Sequence, residues 1–194
     1  MSGEPPGGTG WMEDLARRLA DRSRAAVAPE DRRRAGVLAP LFVRDHRLWV
    51  VLTRRTDKVE HHPGQISFPG GMEEPGDETL WGTALRESEE ELGIRASDVR
   101  PIGRLSPMVT STNFYVEPFV GAIPQPYVFR PHDGEIAEVL EVPLADLRVP
   151  GVREDRPWPG REIPVIFYNW RGKEIWGATG RMLAELLEAV EGQA

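Results

Sequence analysis

Apolar positions recur at intervals of three and four residues in three parts of the chain, which predicts three amphipathic helices. The first helix covers about residues 11–24, the second lies within residues 77–93, and the third covers about residues 182–190. Asp77 is placed to cap the start of the second helix after a Pro-Gly turn, and Gly93 can close its end in a left-handed cap.

Strands are predicted where apolar residues alternate with polar ones or form short continuous runs between turn residues. The Asp45-His46 pair marks a turn between two of these strands, and Pro118 indicates a strand at an edge or a bulge. The predicted strands lie within residues 36–55, 66–71, 99–105, 113–123 and 161–178, and residues 135–143 are either a strand or a short helix. Strands on both sides of a central helix predict an α/β (α+β) sandwich with a mixed sheet. We expect one domain over residues 11–194, after a Gly- and Pro-rich, disordered tail at residues 1–10.

Composition narrows the range of functions. The 194-residue chain has a net charge of -7, no cysteine, no run of apolar residues long enough to span a membrane and no signal-peptide pattern. These features indicate a cytoplasmic protein that binds no membrane. The negative charge argues against a nucleic-acid partner, and the basic run at residues 32–34 is interpreted as a solvated linker.

The second helix concentrates carboxylates near its end. Glu87, Glu90 and Glu91 share one face because residues three and four apart are neighbours on a helix, whereas Glu89 points elsewhere. Each like-charge pair at this spacing costs roughly 0.2–0.5 kcal/mol. Oxygen ligands suit Mg²⁺ or Mn²⁺, and a bound ion would relieve the repulsion. The alternative is a solvated acidic face without a ligand.

The stretch from Gly71 to Ile94 resembles the Nudix hydrolase signature. The matching residues are Arg86, Glu87, Glu90, Glu91, Gly93 and Ile94. Ser88 replaces an aliphatic residue, and the spacing leaves the acidic position of the signature to either Asp77 or Glu78. The resemblance implies an α/β/α sandwich in which the three glutamates bind a metal ion.

The same resemblance implies roles for other charged residues. Arg86 would orient a carboxylate of the cluster without touching substrate. The general base would be either a glutamate of the signature or one from a later loop, for which Glu135 and Glu138 are the candidates. Both could equally be surface charges.

Residues 51–71 resemble the additional signature of the coenzyme A diphosphatases within the Nudix group. The matching residues are Leu52, Thr53, Arg55, Gly64, Phe68, Pro69, Gly70 and Gly71. Val51, Thr56 and Glu60 depart from it, and Glu60 stands where the subgroup has Arg. This resemblance covers about residues 36–187. It implies metal-dependent cleavage of the coenzyme A pyrophosphate to 3',5'-ADP and 4'-phosphopantetheine.

Eight residues of this stretch are candidate substrate contacts: Arg54, Arg55, His61, His62, Gly64, Phe68, Gly70 and Gly71. The glycines permit close backbone approach to a ligand, and the arginines could meet phosphate oxygens. If Arg54 and Arg55 lie in a strand, they face opposite sides of the sheet, so only one can line a given surface. His61 and His62 are either phosphate or adenine contacts or turn residues beside Pro63, and Phe68 is either a packing or a binding residue.

Two other functions compete with this interpretation. A different Nudix diphosphatase would act on ADP-ribose, NADH or a dinucleoside polyphosphate, and residues 51–71 favour coenzyme A over these small-molecule substrates. A Nudix-fold binding module without activity is disfavoured by the intact Glu87, Glu90 and Glu91. Nothing in the sequence indicates an oligomeric state.

Overall fold

A computed structural model of the chain describes residues 10–23, 27–29, 31–57, 63–160 and 162–191. The predicted tail, except Gly10, and the candidates His61 and His62 lie outside the described residues. The described helices are α1 (Gly10–Asp21), α2 (Leu80–Leu92) and α3 (Gly177–Glu191). The described strands are β1 (Arg33–Arg44), β2 (Arg47–Arg55), β3 (Ile66–Ser67), β4 (Gly70–Met72), β5 (Arg100–Arg104), β6 (Met108–Val109), β7 (Phe114–Ala122), β8 (Ile136–Pro143), β9 (Arg153–Arg156), β10 (Val165–Trp170) and β11 (Lys173–Trp176).

The main sheet is mixed, as predicted. Its strand order is β3-β2-β1-β7-β5, with β4 beside β1, β6 beside β7 and β8 beside β2. Only β1 and β7 pair in parallel among its described strands, while β9, β10 and β11 form a separate antiparallel sheet. No helix among the described residues is long and apolar enough to cross a membrane.

The two faces of the main sheet bury different helices. Leu38 and Phe42 of β1 point to the face that α2 covers, and they share a buried cluster with Ala84 of that helix. Alternate positions such as Leu41 pack with α1 and α3 on the other face, where Leu183 lies in the second cluster. Because successive strand residues point to opposite faces, this alternation produces the predicted α/β/α sandwich.

The β1–β2 hairpin forms as the sequence predicts. Asp45 and His46 both have positive φ, 51° and 57°, as a two-residue primed turn requires. The strand begins earlier than expected, because Arg33 and Arg34 belong to β1 and pair with β7. At these two positions the interpretation as a linker was therefore wrong, although both residues are exposed, as a solvated segment requires.

The prediction that Pro118 marks a sheet edge was also wrong. It lies in β7, which is paired with β1 on one side and with β5 and β6 on the other. Along β7, the pairing with β5 ends at Phe119 and the pairing with β6 begins at Val116. Pro118 therefore lies between the segments that face these two partner strands. A missing backbone N–H is tolerated at such a gap in the hydrogen-bond ladder.

Helix α2 lies very close to the sheet at Gly36. A Cβ at this position would lie 2.1 Å from the Leu80 carbonyl oxygen, so a larger residue would displace the start of the helix. Gly93 ends the helix with a φ of 69°, which confirms the predicted left-handed cap. Thr79, rather than Asp77, is the N-terminal cap, since its hydroxyl accepts from the Gly82 amide at 3.1 Å.

Candidate active site

The glutamate side chains of α2 differ in how far they are exposed to solvent. The Glu91 side chain is 5% exposed and the Glu87 side chain 18%, whereas Glu90 is 60% exposed. Glu89 is exposed, as expected for a residue that points away from the cluster. Glu87 and Glu91 therefore form the inner part of the predicted carboxylate face, and Glu90 lies at its rim.

Arg86 organises the outer part of this face. Its Nε and Nη2 donate to the two carboxylate oxygens of Asp77, both at 3.1 Å, and Nη2 also donates to the Met72 carbonyl at 2.9 Å. Its Nη1 donates to Glu87 at 3.0 Å and to Glu90 at 3.2 Å. These contacts agree with the predicted role of Arg86 in orienting carboxylates.

The sequence left the acidic position of the signature to either Asp77 or Glu78, and in the structure Asp77 is the one that pairs with Arg86. The hydrogen bonds from Arg86, followed by one from the Glu74 amide, lower the pKa of Asp77 to about 2. The same pair raises the pKa of Arg86. Glu78 is exposed, so Asp77 is the residue that holds Arg86 against the helix.

The start of strand β4, at Gly70 and Gly71, lies over the inner carboxylates. The Gly70 amide donates to Glu91 Oε2 at 3.2 Å. A Cβ on Gly71 would lie 2.5 Å from the Glu87 carboxylate carbon, and one on Gly70 would lie 2.5 Å from the Gly36 carbonyl oxygen. Gly70 also has a φ of 146°, in the range that favours glycine. Glycine at both positions allows the backbone to approach these carboxylates.

Glu91 lies in a poorly solvated position that disfavours its charged form. Burial is the main cause that raises its pKa to about 8, against the opposing effects of the Gly70 amide and Arg55. Burial also raises the pKa of Glu87, although Arg86 opposes the shift. Glu135 contributes by repulsion to the raised pKa of both residues. Burial and mutual repulsion therefore disfavour the charged forms of both carboxyl groups, and a bound cation would favour those forms.

The loop before β8 brings Glu135 to this cluster by docking on the end of α2. The Arg130 amide donates to the Leu92 carbonyl at 2.8 Å, and the His132 amide donates to the Glu91 carbonyl at 2.9 Å. Carbonyls at a helix end have no partner within the helix, so these amides satisfy them. A backbone amide can come from almost any residue, so no sequence signal identified this docking.

A second anchor fixes Glu135 against β2. The Thr56 amide donates to the Glu135 carbonyl at 2.7 Å, and the Thr56 hydroxyl donates to the Gly134 carbonyl at 3.1 Å. The backbone of Glu135 is thus held between strand β2 and the end of the metal-binding helix predicted from the sequence. Of the two later glutamates, this is the one whose charge reaches Glu87 and Glu91.

Glu138 and Arg54 lie on the opposite face of the sheet. They are neighbours in the β2–β8 register, with Arg54 Nε 3.4 Å from Glu138 Oε2, and Lys173 Nζ donates to the same oxygen at 2.7 Å. Arg55, one residue further along β2, points instead to Glu91. The structure therefore places Glu138 and Arg54 away from this cluster, and their roles as a general base and a substrate contact stay predictions.

Two other candidate substrate contacts from residues 51–71, Phe68 and Gly64, lie in a core cluster and in a turn, respectively. Phe68 is buried in the core cluster on the α1 and α3 face, so packing is its role. Gly64 has a φ of 68° and its amide donates to the Thr56 carbonyl at 3.4 Å, which places it in a turn. Its predicted contact with substrate stays a prediction.

The donor chemistry of the inner cluster fits a hard divalent cation. Glu87 and Glu91 offer carboxylate oxygens, burial raises the pKa of each, and Glu135 adds charge at the same place. Within the described part of the chain, no three acidic or histidine side chains already stand close enough to form a metal-binding group. Binding would therefore require these side chains to draw together.

Comparison with known proteins gives consistent results. A family model described as the NUDIX domain matches residues 32–163. A protein of Yersinia pestis (strain Pestoides F), named as an uncharacterized Nudix hydrolase, NudL, is 36% identical over 162 residues, which cover 81% of this chain and 80% of the relative.

Solved structures show a similar fold. A Nudix hydrolase from M. smegmatis, RenU, has a TM-score of 0.51 at 18% identity and covers 60% of this chain and 74% of its own. A binary complex of a C. elegans Ap4A hydrolase has a TM-score of 0.50 at 18% identity and covers 59% of this chain and 82% of its own. At these identities the likeness concerns the fold alone.

Proposed function

This chain belongs to the Nudix family, and from that premise we propose that it is a coenzyme A diphosphatase. One observation carries the proposal. The Gly70 amide, at the end of the stretch that resembles the coenzyme A signature, donates to Glu91 of the carboxylate helix at 3.2 Å. The stretch that would recognise the substrate is thereby joined to the group that would cleave it.

In this proposal Glu87 and Glu91 would hold Mg²⁺ or Mn²⁺. When bound there, the ion would supply charge to offset the diphosphate and would activate the attacking water. Glu90 is the third ligand predicted from the sequence, and its ion pair with Arg86 at 3.2 Å would have to open for that role. Arg86 keeps the carboxylates oriented through its contacts with Asp77 and Glu87.

Glu135 is the proposed general base, since its charge acts on both inner carboxylates and its backbone is held from two sides. It takes a proton from the water whose oxygen forms the new bond to phosphorus. The bond between that phosphorus and the bridging oxygen breaks, which yields 3',5'-ADP and 4'-phosphopantetheine. A general base contributes about 10²- to 10⁴-fold to such a step.

The test is product analysis after incubation with Mg²⁺ or Mn²⁺ and a panel of substrates. The panel contains coenzyme A, dephospho-coenzyme A, ADP-ribose, NADH and a dinucleoside polyphosphate. We expect coenzyme A to give the highest kcat/KM, by about tenfold over dephospho-coenzyme A if one charge-assisted contact reads the 3'-phosphate. A ratio at or below one, or faster turnover of ADP-ribose or NADH, would assign the chain to a different Nudix diphosphatase.

A further inference from the structure

Arg55 lies between two carboxylates that belong to different parts of the fold. Its Nη1 is 3.5 Å from Glu91 Oε1 on α2, and its Nη2 is 3.9 Å from Glu135 Oε2 in the loop before β8. The side chain is 25% exposed, and its Nε is buried without a hydrogen-bond partner among the described residues. Both terminal nitrogens are thus directed at glutamates.

We propose that Arg55 is a positioning residue that holds Glu135 beside Glu91, rather than a ligand of the substrate phosphates. This inference rests on the proposed function, in which Glu135 is the general base. A guanidinium presents its donors as a planar fork and can bridge two carboxylates, one from each side. No other described cation is recorded within ion-pair distance of either Glu91 or Glu135, apart from His132 at 3.9 Å from Glu135 when protonated.

The same position makes Arg55 a competitor of the metal ion. The distances of 3.5 and 3.9 Å exceed those of a well-formed charge-assisted hydrogen bond, so the two carboxylates are held loosely. A divalent cation that binds Glu91 must act against the positive charge of the neighbouring guanidinium. Arg55 therefore stabilises the site before the metal arrives and lowers its affinity for the metal.

The first test measures Mn²⁺ binding by titration calorimetry without substrate. In Arg55→Met we expect affinity to rise about two- to fivefold, which corresponds to the worth of a partly exposed ion pair. Arg44→Met is the matched control, because Arg44 also pairs with a glutamate, Glu141 at 3.1 Å, but at the far end of β1. Unchanged or weaker Mn²⁺ binding in Arg55→Met would overturn the proposal that Arg55 competes with the metal ion.

The second test is a double-mutant cycle on turnover. If Arg55 acts through Glu135, Arg55→Met lowers kcat in the wild-type background but adds little to Glu135→Gln, and KM for substrate stays near wild type. Multiplicative losses in the double variant, or a rise in KM at constant kcat, would overturn the positioning role and make Arg55 a substrate ligand.

Arg55→Lys provides a variant that keeps the charge and the fold. Its single ammonium cannot bridge two carboxylates, so we expect wild-type Mn²⁺ affinity with a partial loss of kcat. Full turnover in Arg55→Lys would contradict the need for a bridging guanidinium. The Mn²⁺ measurements need no substrate, so a wild-type protein that fails to cleave coenzyme A would refute the proposed function while leaving the competition testable.

Discussion

Two arginine–carboxylate groups at the same helix differ in how completely charge is balanced. Asp77 receives two hydrogen bonds from Arg86 at 3.1 Å, and its pKa falls to about 2. Glu91 has a long contact with the Arg55 guanidinium at 3.5 Å and accepts from the Gly70 amide at 3.2 Å, and burial raises its pKa to about 8. The first pair stabilises structure, because each charge is satisfied. The second is incompletely balanced, so burial disfavours the charged form of Glu91 until a cation binds, and carboxyl groups with pKa values shifted in this way are expected at functional sites.

The largest effect should come from removing either inner carboxylate, Glu87 or Glu91. We expect Glu87→Gln and Glu91→Gln each to lower kcat about a hundredfold or more, because a neutral amide is a poor metal ligand. Turnover is measured with saturating Mg²⁺, and circular dichroism checks the fold. Glu89→Gln, at an exposed position on the same helix, is the control. Near-full activity in either of these two variants would show that the buried carboxylates are not needed for turnover.

The next effect separates the two later glutamates. Glu135→Gln should lower kcat about a hundredfold, as expected when a general base is lost. Glu138→Gln should keep turnover close to wild type, because Glu138 pairs with Arg54 and Lys173 on the other face of the sheet. The measurement is kcat for both variants at one metal concentration. Similar losses of kcat in both variants would show that Glu138 matters for turnover despite its position on the other face of the sheet.

A smaller effect distinguishes the two glycines over the cluster. In Gly71→Ala the new methyl group would displace the flexible Glu87 carboxylate, so we expect kcat to fall about tenfold with stability nearly unchanged. In Gly70→Ala it would meet the Gly36 carbonyl at a φ of 146°, which should destabilise the fold by about 1–3 kcal/mol. Steady-state kinetics measures kcat, and urea unfolding measures the free energy of unfolding. Equal losses of stability in both variants would show that the two glycines do not differ in this way.

The smallest effect on turnover should come from the balanced pair. Asp77→Asn should lower the free energy of unfolding by about 2 kcal/mol, the range of a hydrogen bond between charged groups. Because the folded pKa of Asp77 is about 2, below its ordinary value of 3.8, the contribution of its charge to stability is fully present above pH 3.8 and is lost as the pH falls through 2.

Urea unfolding of the wild type and Asp77→Asn across this acidic range checks the sign. The difference in stability between the two proteins should shrink as the pH falls. Glu78→Gln, an exposed residue beside Asp77, should match the wild type throughout. A stability difference that stays constant with pH would show that the carboxylate charge of Asp77 does not stabilise the fold.

The sequence by itself determined the local features of this protein. Helix α2 with its Gly93 cap, the carboxylate face of Glu87 and Glu91, and the turn at Asp45 and His46 follow from interactions between residues at most a few positions apart. A sandwich with a mixed sheet also followed from the order of strands and helices along the chain, and the family resemblance implied its α/β/α layers. The family resemblance was carried by the same short stretches.

Only the tertiary structure decided which distant residues join the site. Arg55 rather than Arg54 faces Glu91, and Glu135 rather than Glu138 reaches the cluster, because the faces of β2 and β8 are set by their pairing in the sheet. Phe68, within a signature stretch, turned out to be core. Thr79 capped the helix and released Asp77 to bind Arg86, a contact between residues nine positions apart. Such contacts depend on the register and packing of separate elements, and local sequence pattern does not encode them.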